Sequence, residues 1–486
     1  MRNYIPLILA LLLLTGCKQK TTIISENTAE DKEQKELQNS KELANSLMNI
    51  YMESENSPPG ISIAISKNDS IIYARGFGYA DIASKEMVTA KTQFRAASVS
   101  KIMTATAIAK LIQDNRLDLD NPIQDYVPEF PEKEHTITAR GIAGHIAGMP
   151  HYAASDKIEK RFYGSVTESL KTFSHQKLLY EPGSDYNYST HGYTLLTAAV
   201  EGASGVAFLE YLDKEIFSPL KMTSTGPHLI NEEMEHMTTL YAMDQLGKVS
   251  VVEHPEDPSY KWGAGGMVST PSDLVKMGNG YLNGFLQAEI VNEMFQSQKL
   301  TSGEETGVGI GWRSNRDPQG RRVFEHAGWM QGTRSVICVF PDHNLSIAMM
   351  SNTQRPYNVE ETAHLLASLF LGNSSPKQQL FGKAEVLIAI NNNDDSIETK
   401  GELILDGTND RLVIVDGDGK LKTHKIIYLQ RGDLYAVITT DGILFAAINL
   451  TNNKVVGKLI KYYSPQYSPA TFDDPIISFE GQFTSE

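Results

Sequence analysis

Ser98 and Lys101 stand three residues apart in Phe94-Arg95-Ala96-Ala97-Ser98-Val99-Ser100-Lys101, where an apolar, helix-forming run from Ile102 to Leu111 begins. One helical turn brings positions i and i+3 to the same face, so the Lys101 amine can reach the Ser98 hydroxyl. A serine hydroxyl is a poor nucleophile at neutral pH and needs an adjacent base. A lysine serves as that base only if burial and positive neighbours lower its pKa. A helix start also turns backbone N–H groups toward any oxyanion that forms there. The spacing alone is not decisive, because Ser-x-x-Lys recurs at Ser174/Lys177, Ser218/Lys221 and Ser374/Lys377. Pro219 follows Ser218, Ser375-Pro376 follow Ser374, and Ser174 leads no long apolar-periodic run. Only Ser98 opens a long helical segment. The competing reading is an N-capping serine beside a solvated lysine.

Two later stretches bear on that choice: Pro182-Gly183-Ser184-Asp185-Tyr186-Asn187-Tyr188-Ser189-Thr190-His191-Gly192-Tyr193 and His326-Ala327-Gly328-Trp329. With Ser98 and Lys101 they resemble the three active-site motifs of the serine β-lactamase and penicillin-binding superfamily. The nearest branch is the class C β-lactamase-related group (peptidase S12), and within it the LACTB-like proteins. The similarity extends through Arg116-Leu117-Asp118-Leu119-Asp120, Gly144-His145-Ile146-Ala147-Gly148-Met149-Pro150 and Tyr260-Lys261-Trp262-Gly263-Ala264-Gly265-Gly266, and spans residues 41–372.

The resemblance implies roles. Ser98 is then the nucleophile that becomes acylated, Lys101 its base, and Tyr188 the group that assists proton transfer to and from the leaving group. Thr190, His326, Gly328 and Trp329 are the implied substrate-binding positions. His326 stands where many relatives carry the lysine of Lys-Thr-Gly; partly cationic, it would orient a substrate carboxylate. Gly328 would let substrate approach an edge strand. The backbone N–H groups of Ser98 and Trp329 would form the oxyanion hole. Thr190 departs from the Tyr-x-Asn of many relatives, and a hydroxyl cannot offer both the amide donor and the carbonyl acceptor of Asn. That change points to an altered substrate and away from a strong β-lactamase. His145, in Gly-His-x-x-Gly, is expected to be structural, in a helix-start turn away from the nucleophile.

The elements that must position these residues read as α+β. Ile61–Ser66 and Ile71–Ala74 flank Asn68-Asp69 as a hairpin, and Val336–Phe340 with Leu345–Met350 form another around Pro341-Asp342. Helices are expected over 101–113, 192–203 and 207–216. Strands at both ends with helices between suggest one antiparallel sheet flanked by helices. The resemblance implies the β-lactamase/transpeptidase-like fold, with the active site between that sheet and an all-helical region. Past Pro376 the texture changes to short strands closed by Asp406-Gly407, Asp416-Gly417 and Asp441-Gly442 turns, so 376–486 is expected to be a β-rich meander or small barrel.

The ends read differently. Residues 1–17 carry a positive start, an apolar run from Ile5 to Leu14 too short to span a bilayer, and Leu14-Thr15-Gly16-Cys17. This is expected to be a lipoprotein signal peptide with Cys17 as the lipidation site. Residues 18–40 are polar and charged and are expected to form a flexible tether, leaving 41–375 as the hydrolase domain. Of two cysteines, only Cys338 would remain to the mature chain, so no intrachain disulfide is expected. A 41% hydrophobic composition supports a large core, and a net charge of −15 argues against nucleic acid as a partner.

Other hydrolase designs fit poorly. There is no Gly-x-Ser-x-Gly elbow, no Ser-Asp-Asn and no Lys-Thr-Gly element. The histidines lack zinc-site spacing, and no cofactor or metal is expected. The expected activity is that of a serine hydrolase working through a Ser98 acyl-enzyme on small peptide, D-amino-acid amide or ester substrates in the bacterial cell envelope, anchored to the membrane by its N-terminal lipid. The alternatives are an esterase with little peptidase or β-lactamase activity, and a non-catalytic ligand receptor. The sequence leaves oligomeric state open.

Overall fold

Gly60–Lys67 and Ser70–Asp81 form the expected hairpin. Its turn residues Asn68 and Asp69 take φ of 50° and 65°, a left-handed geometry that Asn and Asp tolerate better than bulkier residues. The computed structural model describes residues 21–152, 161–244, 246–372, 379–392, 395–415, 419–430, 433–460 and 477–484. The signal segment with Cys17 lies outside them.

The hairpin joins a seven-stranded antiparallel sheet in the order Glu86–Met87, Ser70–Asp81, Gly60–Lys67, Leu345–Ser351, Thr333–Phe340, Arg322–Met330, Arg313–Arg316. Ala64 lies opposite Ala348, so strands from the two ends of the domain are neighbours at its centre. Both faces of the sheet are buried. Ala64, Ile337, Val339, Ala348 and Met350 pack against the helical region, whereas Ile63, Val336, Cys338, Ile347 and Met349 face a second core. Burial on both faces explains why these strands read as continuous apolar runs and not as alternating ones. Helices occupy Ser100–Gln113, Thr190–Ser204 and Phe208–Leu212, the last continuing as a wider turn to Phe217. This is the β-lactamase/transpeptidase-like fold.

The segment expected to be a flexible tether is helical instead: Thr21–Met52 forms one 32-residue helix. Leu37, Leu43, Ala44, Leu47, Met48 and Tyr51 recur at helical spacing and cover Tyr73 and Phe77 of the sheet's second face. Ser40 Oγ donates to Leu369 O at 2.6 Å. The polar segment upstream carries Glu, Lys and Gln, all good helix formers, and a helix pinned at one end can extend through them.

Past residue 378 the chain forms a closed eight-stranded barrel running from Gly382–Asn392 to Ile477–Thr484, each strand antiparallel to the next and the last to the first. Val386, Leu403, Leu412, Ile426, Tyr435, Ala446, Phe479 and Phe483 fill part of its interior. Ile438, Ile443 and Phe445 on its outer wall pack on Val359, Ala363 and Leu366 of the helix Val359–Ser368. Ile443 N donates to Thr362 Oγ1 at 3.0 Å, and Arg355 pairs with Asp441 at 2.5 Å.

The same helix is fastened to the sheet by a buried ion pair. His364 Nε2 and Glu325 Oε2 are 2.6 Å apart, and Asn315 Nδ2 donates to Glu325 Oε1 at 2.7 Å. The Cys338 thiol, pushed up by burial and by Glu325, donates to the same carboxylate at 3.5 Å. Glu325, Cys338 and His364 sit close enough to resemble a metal-ligand trio. The carboxylate is already committed to three partners, His364, Asn315 and the Cys338 thiol, so the trio is a hydrogen-bonded ion pair. The Glu325 carboxyl is held below its ordinary value despite burial, and His364 is held above its own by Glu325. Stabilisation from Glu325 is therefore lost as pH falls through its depressed pKa, and that from His364 as pH rises through its raised one. Glu325→Gln is expected to lower the unfolding free energy by about 3 kcal/mol near neutral pH, with the deficit shrinking toward both pH extremes. Urea denaturation across pH measures this, and an undiminished midpoint at neutral pH would contradict it.

Candidate active site

Ser98 sits on a tight connection between strand and helix. Phe94-Arg95 pairs with Val268-Ser269, Ala97–Val99 form a single 3-10 turn, and the helix Ser100–Gln113 follows directly. Ala97 has φ +46°, a strained value for a residue with a Cβ that persists only where its surroundings impose it. They do. Thr333 Oγ1 donates to Arg95 O at 2.7 Å, Ser335 Oγ to Ala96 O at 2.6 Å, and Ala96 N to Met267 O at 2.8 Å. From Phe94 to Ala109, Ser98 is the only residue that is not buried. No side chain caps the turn, so the capping reading of Ser98 does not hold.

Lys101 is fully buried one turn on. Its Nζ lies 2.6 Å from Ala264 O, 3.3 Å from Thr190 Oγ1 and 3.3 Å from Ser98 Oγ. The rings of Tyr188 and Tyr193 stand 5.0 and 5.6 Å from it. Desolvation, aided by the positive charges of Lys261 and Arg313, holds its pKa well below the ordinary lysine value. A neutral amine has two N–H bonds and one lone pair. With the hydrogens given to Ala264 O and Thr190 Oγ1, the lone pair faces the Ser98 hydroxyl. That is the geometry of a general base.

Thr190 thus touches the base instead of lining the cleft, and it is buried. It opens the helix Thr190–Ser204, which Ser189 caps by accepting from Gly192 N at 2.9 Å. Tyr188 precedes this cap. Its hydroxyl is buried without a partner at hydrogen-bonding geometry, yet lies close enough to Ser98 for that hydroxyl to oppose the upward push of burial on its pKa. Burial dominates, so Tyr188 stays a phenol.

His145 and His151 support this corner. Ser189 N donates to His145 Nδ1 and Thr190 N to His151 Nδ1, both at 3.1 Å. An imidazole accepts only when neutral. Burial and Lys101 keep both so, His151 at about 3. The His145 ring lies 4.5 Å from that of Tyr188. The expectation that His145 sits away from the nucleophile in a helix-start turn is corrected: it follows the helix Ala139–Ala143, at φ +62°, and supports the catalytic corner. The Gly-His-x-x-Gly loop folds back under the tyrosine because Asn187 N donates to His145 O.

His326, Gly328 and Trp329 lie on the strand Arg322–Met330. Arg313–Arg316 pairs with it only as far as Glu325, so from His326 onward its outer edge faces the Ser98 turn. Two expectations change here. His326 is buried, and desolvation with Arg313 and Lys101 nearby keeps it neutral, so it carries no charge for a substrate carboxylate. Its Nδ1 lies 2.8 Å from Ala327 O, which can only accept, so the proton is on Nδ1. Gly328 admits the chain itself. A Cβ there would lie 2.3 Å from Ser335 Oγ and 2.5 Å from Ala96 O, so its absence lets the Ser98 turn press against the strand. Trp329 is 57% exposed at the cleft rim.

The family model described as Beta-lactamase matches residues 42–370. The chain belongs to the β-lactamase family. This member of it is 32% identical over 298 residues to the human mitochondrial serine beta-lactamase-like protein LACTB, covering 47% of this chain and 54% of that protein. The chain thus spans about half the length of the curated relatives it matches first. An octameric penicillin-binding protein homologue from Pyrococcus abyssi superposes with TM-score 0.59 at 22% identity, over 85% of this chain and 97% of its own. A D-amino acid amidase from Ochrobactrum anthropi does so with TM-score 0.55 at 24% identity, over 65% and 90%. These likenesses establish the fold.

Lys261 and Arg313, which tune Lys101, were not singled out as site residues from sequence. Lys261 is buried against Glu256 at 2.8 Å, and Arg313 lies 3.8 Å from Glu360. Lys261 sits within a motif stretch and could have been found there; Arg313 carries no local signal. Gly328→Ala is expected to leave the fold intact by circular dichroism and to lower kcat/KM by about 10²-fold, through displacement of the Ser98 turn. Full activity would show that the turn is positioned by other contacts.

Proposed function

We propose that the protein hydrolyses uncharged amides and esters of small acyl groups, D-amino-acid amides among them, through an acyl-enzyme on Ser98. The observation that carries this is the placement of the fully buried Lys101 Nζ 3.3 Å from Ser98 Oγ. As the Ser98 oxygen attacks the carbonyl carbon, its proton passes to Lys101 Nζ. The tetrahedral oxyanion is held by the backbone N–H groups of Ser98 and Trp329. Tyr188 gives its phenolic proton to the departing nitrogen or oxygen and regains one from Lys101, a relay suited to a phenol kept protonated by burial. Water then repeats the sequence in reverse and releases the acid.

The charge pattern favours an uncharged leaving side over a free C-terminal carboxylate. Among the described residues, the basic groups near Ser98 are engaged: neutral Lys101 on Ala264 O, Lys261 on Glu256, Arg313 beside Glu360. His326 is neutral. A carboxylate entering this cleft would lose hydration without a dedicated partner. The exposed rings of Trp329 and Tyr152 offer apolar surface instead. The lipoprotein-like Leu14-Thr15-Gly16-Cys17 supports an envelope location on a lipid anchor.

Intact-mass analysis tests the nucleophile. A fluorophosphonate is expected to add once to the wild type and not to Ser98→Ala. On one preparation, a D-alanyl amide or ester should turn over at least about tenfold faster than a peptide ending in free D-Ala-D-Ala. An adduct on Ser98→Ala would remove the assignment, and preference for the free acid would refute the substrate class.

A further inference from the structure

We infer that Arg334 is a positioning residue for the oxyanion hole, and that the C-terminal barrel holds in place the loop on which Arg334 is anchored. This rests on the Ser98 chemistry proposed above and adds to it how the second donor is aimed.

That donor, the Trp329 N–H, belongs to the same peptide unit as the Gly328 carbonyl. The unit is planar and trans, so its C=O and N–H point in opposite directions. A group that fixes the carbonyl on one side therefore aims the N–H on the other. Arg334 is placed to do this. It lies directly across from Trp329 on the neighbouring strand, and its Nη1 stands 3.5 Å from Gly328 O. On the opposite edge, pairing with Arg313–Arg316 ends at Glu325, and Gly328 approaches Ala96 and Ala97 of the Ser98 turn. A carbonyl drawn toward Arg334 leaves the N–H directed at that edge. A cation on the carbonyl also polarises the amide, and hydrogen bonds in series strengthen one another.

At 3.5 Å the contact is long, so its worth depends on how firmly the guanidinium is held. Arg334 Nη2 donates to Tyr357 O at 2.9 Å and to Glu360 Oε2 at 3.0 Å, and Nε donates to Pro356 O at 3.3 Å. Only a planar fork meets acceptors in this spread, which a lysine could not. Glu360 opens the helix Val359–Ser368 and is shared with Arg313 at 3.8 Å. The two carbonyls sit in the loop between Ser351 and that helix.

The barrel grips this loop on both sides of them. Arg355 Nη1 donates to Asp441 Oδ1 at 2.5 Å and to Thr440 O at 3.3 Å. Asn358 N donates to Asp441 O at 2.8 Å. Thr440 and Asp441 form the turn between the barrel strands Leu434–Thr439 and Gly442–Thr451. A continuous set of polar contacts thus runs from the barrel turn through the loop and Arg334 to the Gly328–Trp329 peptide.

The test uses the full chain, p-nitrophenyl butyrate as substrate and phenylboronic acid as inhibitor. The boronate bonds to a serine oxygen and becomes tetrahedral, placing one of its oxygens where the oxyanion forms. Arg334→Met keeps the stem and removes the fork. Asp441→Lys sets a like charge against Arg355 at a side chain that is 44% exposed, so it keeps its fold if Arg334→Met does not. Each is expected to lower kcat/KM about tenfold and to weaken boronate inhibition by about the same factor. The acid limb of the Ser98 acylation rate should stay at its wild-type pH, because Lys101 is untouched. Unaltered boronate affinity in either folded variant would overturn the proposal, and so would a shifted acid limb, which would place the effect on the base. Ester turnover that survives Ser98→Ala would overturn the underlying chemistry, and this is seen without any change at Arg334.

Discussion

The arrangement rests on a lysine that has been taken out of water. A buried ammonium without a counter-charge is among the costliest groups a protein can hold, and it escapes that cost by giving up its proton. Among the described residues, Lys101 has no carboxylate beside it; its near neighbours are a carbonyl, two hydroxyls and two aromatic rings. Lys261, by contrast, is equally buried but bonded to Glu256, which opposes the downward push of burial on its pKa. Two lysines in one neighbourhood are thus set to different tasks by one carboxylate. The charge retained on Lys261 and Arg313 helps to keep Lys101 neutral.

Enclosing that amine demands close packing of segments far apart in sequence. Gly263 lies between the helices Ser100–Gln113 and Thr190–Ser204, where a Cβ would meet Thr104 Oγ1 and Thr197 Oγ1, each at 2.5 Å. This brings Ala264 O onto Lys101. Gly328 does the same for the Ser98 turn against the sheet. The strain at Ala97 is carried by hydrogen bonds from Thr333 and Ser335, on a strand that is itself central because Gly60–Lys67 and Leu345–Ser351 close the sheet from both chain ends. What the enclosure leaves over is uncharged. Neutral His326 and neutral His151 offer hydrogen bonds but no charge.

Much of this was legible in the sequence, and the limits have physical causes. The hairpins, the helices after Ser98 and Tyr188, and the gathering of Ser98, Lys101 and Tyr188 rest on local patterns and on motifs that carry their chemistry with them. Closure of the barrel was not legible, because it depends on Gly382–Asn392 meeting Ile477–Thr484, a long-range register that composition does not encode. Thr21–Met52 was hidden because helical propensity in a polar segment becomes structure only when its far end is pinned. For His326, residue type suggested a partial charge, whereas the charge state is decided by burial contributed from other strands. Gly328 announced a close approach, but not which partner approaches. Arg313 acts through space on Lys101, Tyr188, His145 and His326, and no spacing rule could link them.

The central claim is that Lys101 is a neutral base at physiological pH, and the pH dependence of Ser98 acylation tests it most directly. The rate of fluorophosphonate addition, followed by intact mass from acid to alkaline pH, should rise tenfold per unit while Lys101 deprotonates and then level off well below pH 10.5. Lys101→Ala should abolish that titrating limb and leave only slow background addition. A rate in the wild type that keeps climbing to the ordinary lysine pKa, or a limb that survives in Lys101→Ala, would contradict the account.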